Sequence, residues 1–161
     1  MKQFEDSVMK DNKMQVEAIC NGYVIDHIPS GQGVKILKLF NLTDTTQRVT
    51  VGFNLPTNSG QSKDLIKVEN TEITKPQANQ LALLAPDATI NIIQDFEVID
   101  KHTLTLPNEV ENVFPCPNSN CITHGEPVAS SFSIKRNKYN IGLKCKYCEK
   151  TFSQDIVTEQ V

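Results

Sequence analysis

The chain contains two close pairs of cysteines, and their spacing constrains its fold more than any other feature. Cys116 and Cys121 form a C-x4-C pair. Cys145 and Cys148 form a C-x2-C pair after a gap of roughly two dozen residues. Two such pairs, each on a tight turn, can aim four thiolates at one point, which suits tetrahedral zinc. Four protein ligands leave no open coordination position, so the site is predicted to be structural rather than catalytic.

The same cysteines could instead form two disulfides in a secreted domain. The N-terminal segment is charged throughout and lacks the apolar core of a signal peptide, so zinc in a reducing cytoplasm is the favoured interpretation. The fifth cysteine, Cys20, is interpreted as a plain buried thiol. His124 follows the first cysteine pair and is interpreted as a surface or supporting residue, because four thiolates already complete the metal site.

The 161 residues are predicted to divide into two units joined by a linker that Pro107 marks. Residues 1–12 are polar and charged and are predicted to form a flexible tail. The first unit is predicted over 13–103, the linker over 104–111 and a small zinc-binding unit over 112–161. This last unit is too short for a strong core. Zinc coordination, worth roughly 10–16 kcal/mol, is therefore expected to supply much of its folding free energy.

Hydrophobic periodicity predicts an alternation of strands and helices in the first unit. The predicted strands lie at 13–20, 47–54 and 63–70, with a short extended piece at 23–28 and a bent extended stretch over 88–101. Helices are predicted at 33–40 and, after a Thr74 cap, up to Ala85. The order β-α-β-β-α-β is that of a ferredoxin-like α+β domain, a mainly antiparallel sheet with both helices on one face. The second unit is predicted to be all-β, with a hairpin built on Phe132, Ile134, Ile141 and Leu143.

One strand of the first unit carries lysines at alternate positions. Lys63, Leu65 and Lys67 lie on one face of it, and Ile66 and Val68 lie on the other. Two lysines that flank a leucine could bind a polyanion across the sheet, or they could belong to an ordinary solvated face. The chain has no glycine-rich phosphate loop, so any phosphate here must be held by lysine side chains.

Two other polar positions could converge on these lysines. Asp26 and His27 follow the first strand, and Lys101 ends the last, while the first and third strands are central neighbours in a ferredoxin-like order. An enzyme that uses Asp26 and His27 as an acid–base pair is one alternative function, but no nucleophile or open metal site accompanies the pair.

A zinc-ribbon nucleic-acid-binding protein is another alternative. Lys144, Lys146 and Lys150 cluster by the second cysteine pair. Acidic residues balance the basic ones in the zinc unit, however, and the whole chain has a net charge of −3, so the electrostatic signature of nucleic-acid binding is missing. No apolar run approaches the length of a membrane span.

The chain resembles the regulatory chain of aspartate carbamoyltransferase from about residue 12 to about residue 157. The segments that carry the resemblance occur in order: KMQVEAI at 13–19, VIDHIP at 24–29, KDLIKVEN at 63–70, QLALLAP at 80–86, CPNSNC at 116–121 and LKCKYCE at 143–149. Their combination is specific, although no single segment is. The resemblance implies a five-stranded allosteric domain with two helices, followed by a small zinc domain.

The resemblance also implies a function. It implies a non-catalytic regulatory chain that binds nucleoside triphosphates, with CTP and UTP inhibiting and ATP activating pyrimidine biosynthesis. The implied polar site positions are Asp26, His27, Lys63, Lys67 and Lys101. The implied positions around base and ribose are Ile19, Val24, Leu65, Asn91, Ile93, Phe96 and Val98. In this assignment the backbone at Ile19 and near Phe96 reads the base edge, and Asp26 and Lys67 hold the ribose.

The implied partners are other protein chains rather than nucleic acid or membrane. The zinc domain would dock on a catalytic chain, and dimers of the regulatory chain would bridge catalytic trimers in the cytoplasm. A nucleotide that binds two quaternary states unequally would shift their equilibrium, which requires a coupling of only about 1–3 kcal/mol.

Overall fold

A computed structural model of the protein describes residues 16–159 of the chain. The predicted tail over 1–12, and residues 13–15 of the predicted first strand, lie outside the described residues. The described part forms two antiparallel sheets, one with five strands and two helices and the other with four shorter strands. The predicted α+β fold with a second, all-β domain is therefore confirmed.

The first sheet has the strand order β2-β3-β1-β4-β5, so β1 and β3 are central neighbours as predicted. Its elements are β1 (Gly22–Pro29), α1 (Gly33–Leu39), β2 (Val49–Pro56), β3 (Ser62–Glu69), α2 (Lys75–Leu84), β4 (Thr89–Gln94) and β5 (Glu97–Thr103). Every neighbouring pair is antiparallel. The core of this domain lies between one face of the sheet and the two helices, and it includes Ile25, Ile66, Val68 and Leu81.

Helix α2 begins and ends where its sequence signals predict. The Thr74 hydroxyl accepts a hydrogen bond from the Gln77 N–H at 3.3 Å, and the Gln77 side chain accepts one from the Thr74 N–H at 3.0 Å. This capping box satisfies amide groups that the first turn would otherwise leave unpaired. Pro76 occupies the first turn, where its missing N–H costs nothing, and the helix ends before Pro86.

The predicted strand over 13–20 is wrong in the part that the structure describes. Val16 to Cys20 forms no strand, and β1 begins only at Gly22. Both edges of β1 are already paired, with β3 on one side and β4 on the other, so a second strand cannot join there. Burial does not alternate along this segment either, since Glu17 and Ala18 are both exposed and Ile19 is buried. We call Val16–Ile19 the strap, because it crosses the sheet without pairing.

Asp64 is fully buried on the helix face of β3, between apolar neighbours. One carboxylate oxygen accepts hydrogen bonds from the Gly31 and Gly33 N–H groups at 3.0 and 3.1 Å, and the other accepts one from Asn54 at 3.0 Å. A Cβ on Gly33 would lie 2.9 Å from this carboxylate, so the glycine permits the close approach. Asp64 thereby joins the loop before α1, the end of β2 and β3.

The second sheet has the order β6-β7-β8-β9. Its elements are β6 (Glu109–Glu111), a 3-10 helix (Ile122–His124), β7 (Ser131–Arg136), β8 (Ile141–Cys145), β9 (Thr151–Ser153) and α3 (Gln154–Thr158). The predicted hairpin is confirmed, with Ile134 opposite Leu143. Strand β6 falls in the stretch expected to be linker, and it joins the sheet because Val110 packs in the second core.

The two domains share helix α2. Leu81 and Leu84 are buried in the core of the first domain, whereas Leu83 is buried in the core of the second, beside Phe114 and Phe132. Helix α2 thus presents side chains to both domains, and their packing is continuous at this point.

Candidate functional site

The four paired cysteines come together in the second domain. All four Sγ atoms lie within 4.8 Å of one another. The Cys116–Cys148 and Cys121–Cys145 sulfur pairs are each separated by 3.8 Å. A tetrahedron with zinc–sulfur bonds of about 2.3 Å has edges of about 3.8 Å, so the cluster has the size that zinc requires.

Local structure favours a bound cation at this cluster. Cys116, Cys121 and Cys145 are buried and Cys148 is half-buried. Burial raises the pKa of the Cys116 and Cys145 thiols, because an isolated thiolate is poorly stabilised away from water. A zinc ion held by these four cysteines would offset that cost and would complete its coordination with protein ligands alone. The residues present therefore fit one structural zinc ion, as predicted.

His124 supports the first cysteine loop from outside the cluster. Its Nε2 atom lies 2.8 Å from the carbonyl oxygen of Cys116, within hydrogen-bonding distance. This contact fixes the backbone of a ligand residue, which matches the supporting role expected of His124.

The first domain carries its candidate site on the sheet face opposite the helices, which we call the open face. It is defined by Val24 and Asp26 of β1, Leu65 and Lys67 of β3, and Asn91 of β4. Its floor is apolar: Val24 and Leu65 are buried together with Ile19 of the strap, and Val16, Leu55 and Ile93 pack against them. The structure thus brings together four residues predicted around base and ribose: Ile19, Val24, Leu65 and Ile93.

A bulge in β1 positions two of the predicted polar residues. Ile25 pairs with Ile66 and Ile28 pairs with Asp64, so two residues of β1, Asp26 and His27, stand opposite a single residue of β3. His27 adopts a left-handed conformation with φ of 58°. Because of the bulge, Ile25 and Ile28 both face the core although they are three positions apart. Asp26 and His27 then lie at the end of the open face.

Asp26 is the centre of a charged cluster at this end. Lys63 Nζ lies 2.7 Å from its carboxylate, and the His27 N–H donates to it at 2.7 Å. Burial acts to raise the pKa of Asp26, but the Lys63 and His27 hydrogen bonds and charges outweigh it and lower this pKa below its ordinary value. A cavity of about 720 Å³ adjoins the cluster, with His27, Lys63 and Asp87 among its lining residues.

Lys67 is bound to the backbone of the strap. Its Nζ donates to the carbonyl of Glu17 at 2.8 Å and reaches the carbonyl of Val16 at 3.5 Å. Burial lowers the pKa of Lys67, and the carboxylates of Asp26 and Glu17 only partly oppose this effect. The Lys67 ammonium is therefore incompletely compensated, and an anionic ligand on the open face would stabilise it.

A row of paired residues extends the site across the sheet. Lys67 pairs with Val24, Val24 with Asn91, and Asn91 with Lys101. Three strand spacings place the Lys67 and Lys101 backbones about 14 Å apart. The Asn91 Oδ1 atom is buried and has no hydrogen-bond partner among residues 16–159, so it is available to a donor from a ligand.

Two predicted residues lie apart from the floor. Phe96 lies in the turn after β4 and Val98 lies in β5, and they have 64% and 58% of their surface exposed. The Phe96 N–H donates to the Cys20 carbonyl at 2.9 Å, which ties this turn to the residue after the strap. Sequence reasoning missed Arg48, which contacts the strap from the position just before β2. An arginine beside an alternating strand is too common a pattern to identify it.

These two sites define a two-domain protein. Its α+β domain has a partly polar sheet face opposite the helices, and its small second domain contains a cysteine cluster that fits a metal ion. The family model described as "Aspartate carbamoyltransferase regulatory chain, allosteric domain" matches residues 14–105. The model described as "Aspartate carbamoyltransferase regulatory chain, metal binding domain" matches residues 108–158. The chain belongs to the family of aspartate carbamoyltransferase regulatory chains.

Whole-chain relatives agree with the two family models. An aspartate carbamoyltransferase regulatory chain from Vibrio sp. (strain 2693) is 82% identical over 153 residues, covering 95% of this chain and 100% of the relative. The regulatory chain from Tolumonas auensis is 64% identical over 147 residues, covering 91% and 96%. That from Vibrio cholerae is 57% identical over 150 residues, covering 93% and 97%.

The resemblance seen in the sequence is thereby confirmed, and the chain is a regulatory chain rather than a catalytic one. An acid–base enzyme built on Asp26 and His27 is excluded by the same finding. A regulatory chain implies a catalytic chain as partner. Within the described residues, no helix is both long and apolar enough to cross a bilayer.

Proposed function

We propose that the open face binds nucleoside triphosphates and that this binding regulates the catalytic chains in the cytoplasm. CTP and UTP would inhibit and ATP would activate. The proposal rests on one observation: Asp26, Lys63 and Lys67 lie close together beside the apolar floor of the open face. Apolar side chains suit a base and ribose, and lysines form charge-assisted bonds to phosphate.

The charges of the site support a polyanionic ligand over a solvated face. A triphosphate carries about four negative charges, so several cations are needed to offset them. Lys63 and Lys67 are both half-buried, and Lys101 stands at the far end of the same row. A lysine of a solvated face has no reason to be desolvated, whereas Lys67 is desolvated by burial and would gain from a ligand that restores its charge balance.

We assign the remaining site residues by the same geometry. His27 borders the cavity beside Lys63, which suits a contact with phosphate. The Asn91 carbonyl oxygen, which has no partner in the described part of the chain, would accept from a ribose hydroxyl or from a water bound to phosphate. Phe96 and Val98 would close over the base at the exposed end, next to the backbone of Ile19. Asp26 would accept from a ribose hydroxyl while remaining paired with Lys63.

The assembly is the second part of the proposal. The first domain, over 13–103, would pair with a second copy, and the zinc domain, over 112–161, would dock on a catalytic chain. Regulatory dimers would then bridge catalytic trimers. Nucleotide binding would bias two quaternary states through unequal affinity.

Isothermal titration of CTP and ATP into the full zinc-loaded chain tests the binding site. Lys67→Ala should weaken binding by about 1.5–3 kcal/mol, or roughly 10- to 150-fold, the range for a lost bond to a charged group. Lys38→Ala, which removes an exposed lysine from α1, is the matched control and should leave affinity unchanged. Absence of saturable binding by the wild-type chain would overturn the proposed nucleotide site.

Sedimentation of the chain with its catalytic partner tests the docking. The zinc-loaded chain should co-sediment with the catalytic chain, and a chelator-treated chain should not. If the chelator-treated chain still binds, the contact must lie outside the zinc domain.

A further inference from the structure

The strap is held by side chains alone in the part of the chain that the structure describes. Ile19 anchors it to the floor, and Lys67 binds the carbonyls of Val16 and Glu17. Among residues 16–159, the backbone of Val16 to Ile19 pairs with no neighbouring strand. The first backbone hydrogen bond follows at the Cys20 carbonyl, which accepts from the Phe96 N–H at 2.9 Å. The position of the strap therefore depends on a few individual contacts.

Arg48, the residue before β2, supplies one of these contacts. Its Nη2 donates to the Glu17 carboxylate at 2.7 Å, and its Nε lies 3.5 Å from the Glu69 carboxylate. The Glu69 oxygen is buried, whereas the Glu17 side chain is largely exposed. The fork of the guanidinium lets one side chain join both carboxylates, which a lysine cannot do with the same geometry. Arg48 thus ties the strap to the last residue of β3.

We propose that Arg48 is a positioning residue for nucleotide binding, which it supports by holding the strap through Glu17. This inference rests on the proposed nucleotide function of the open face. The carbonyls beside Lys67 and the backbone of Ile19 are set in place before a ligand arrives. Without Arg48 the ligand must order the strap as it binds, and that ordering lowers affinity.

The expected effect is on affinity rather than on folding. Both carboxylate pairs of Arg48 are partly exposed, and exposed ion pairs add little to global stability. The strap, however, has few other contacts with residues 16–159, so its position should respond to the loss of one.

Titration of CTP into the full zinc-loaded chain tests the role. Arg48→Met should weaken CTP binding by about threefold to fivefold at low salt, the size of one exposed ion pair. Arg136→Met, the same change at an exposed position of β7, should leave it unchanged. Arg48→Lys should restore part of the affinity, since an ammonium can still pair with Glu17. The difference should shrink in salt on the order of 0.5 M, which screens exposed charges.

A double-variant cycle separates positioning from direct contact. Glu17→Gln should cause the same loss as Arg48→Met, and the double variant should lose no more than either alone. Additive losses would show that Arg48 acts independently of Glu17, which overturns the proposal. Unchanged affinity in Arg48→Met, alongside weakened binding in Lys67→Ala, would also overturn it and leave the nucleotide site standing.

Backbone relaxation tests the strap without any nucleotide. In the ligand-free chain, the backbone amide order parameters of Ala18 and Ile19 should be lower in Arg48→Met than in wild type or Arg136→Met. Equal order parameters would show that Arg48 does not hold the strap and would overturn the inference. If wild type fails to bind CTP, the proposed nucleotide function is overturned, and the inference is overturned with it even if the order parameters differ.

Discussion

The two sheets of this chain are stabilised by different chemistry. The five-stranded sheet encloses an apolar core between its strands and two helices, with Ile25, Ile66 and Leu81 fully buried. The four-stranded sheet has strands of three to six residues, and among residues 16–159 three of the nine buried residues in the core beside it are cysteines. We therefore expect burial of apolar surface to suffice for the first domain and the second domain to require its metal. Periodicity is therefore the informative signal in one domain, and cysteine spacing in the other.

Removal of zinc should produce the largest difference between the two domains. A chelator should unfold the second domain while the first keeps its sheet, because the coordination term of roughly 10–16 kcal/mol serves only the second core. Nuclear magnetic resonance spectra with and without chelator would report each domain separately. Loss of both domains together, or of neither, would contradict the division of stability described above.

Truncation of neighbouring leucines on α2 should separate the two cores. Leu81→Ala and Leu83→Ala should each cost about 2–5 kcal/mol, the range for a buried leucine. Because Leu83 packs in the second core, only its loss should speed the release of zinc to a chromophoric chelator. Leu81→Ala, in the first core, is the matched control. Equal release rates from the two variants would show that the zinc domain does not depend on α2.

The sequence predicts those parts of the molecule in which one local pattern decides the outcome. The alternation of Leu65, Ile66, Lys67 and Val68 predicts both faces of β3, and cysteine spacing predicts the metal cluster. The strap shows the limit of this reasoning. Its alternating residues suggest a strand, but pairing needs a free sheet edge, and the edges of β1 are occupied.

Long-range contacts of charged residues are the other limit. Asp64 falls on the apolar face by alternation, yet its role depends on backbone N–H groups that lie ten to more than thirty positions away in the chain. Arg48 reaches Glu17 across a separation of 31 residues. Spacing along the chain carries no information about such contacts.

Substitution of Asp64 should test how much the first domain depends on a buried polar group. Asp64→Asn keeps the shape but replaces one acceptor with a donor that faces backbone N–H groups, so it should cost about 1–3 kcal/mol. Urea denaturation would measure the loss, and zinc affinity should not change. Asp44→Asn, at an exposed position, is the control and should be neutral. A neutral Asp64→Asn would show that apolar packing alone sets the stability of this domain.

The smallest expected effect is a difference in pH response between the domains. Burial raises the pKa of Tyr23 to about 12 from its ordinary 10.0. The folded state keeps this phenol neutral while the unfolded state ionises, so stability is complete below pH 10 and falls as the pH rises toward 12. The loss at pH 11 should be about 1.4 kcal/mol.

Denaturation at several alkaline pH values would test this effect. Tyr23→Phe should remove this loss of stability at alkaline pH, whereas Tyr147→Phe in the zinc domain should leave it unchanged. The zinc domain should instead fail in acid, where protons compete with zinc for the thiolates. A common pH profile for both domains would contradict the comparison.

The position of Leu83 also limits how the chain can be divided or recombined. A cut in the segment that joins the two sheets would leave this leucine exposed to water on one fragment and its pocket empty on the other. The exposed side chain would favour aggregation of the first fragment. In a chimera of this first domain with a metal-binding domain from another protein, that second domain would need an apolar pocket that fits Leu83. The two domains are therefore constrained to change together at this contact, although most of their residues can vary separately.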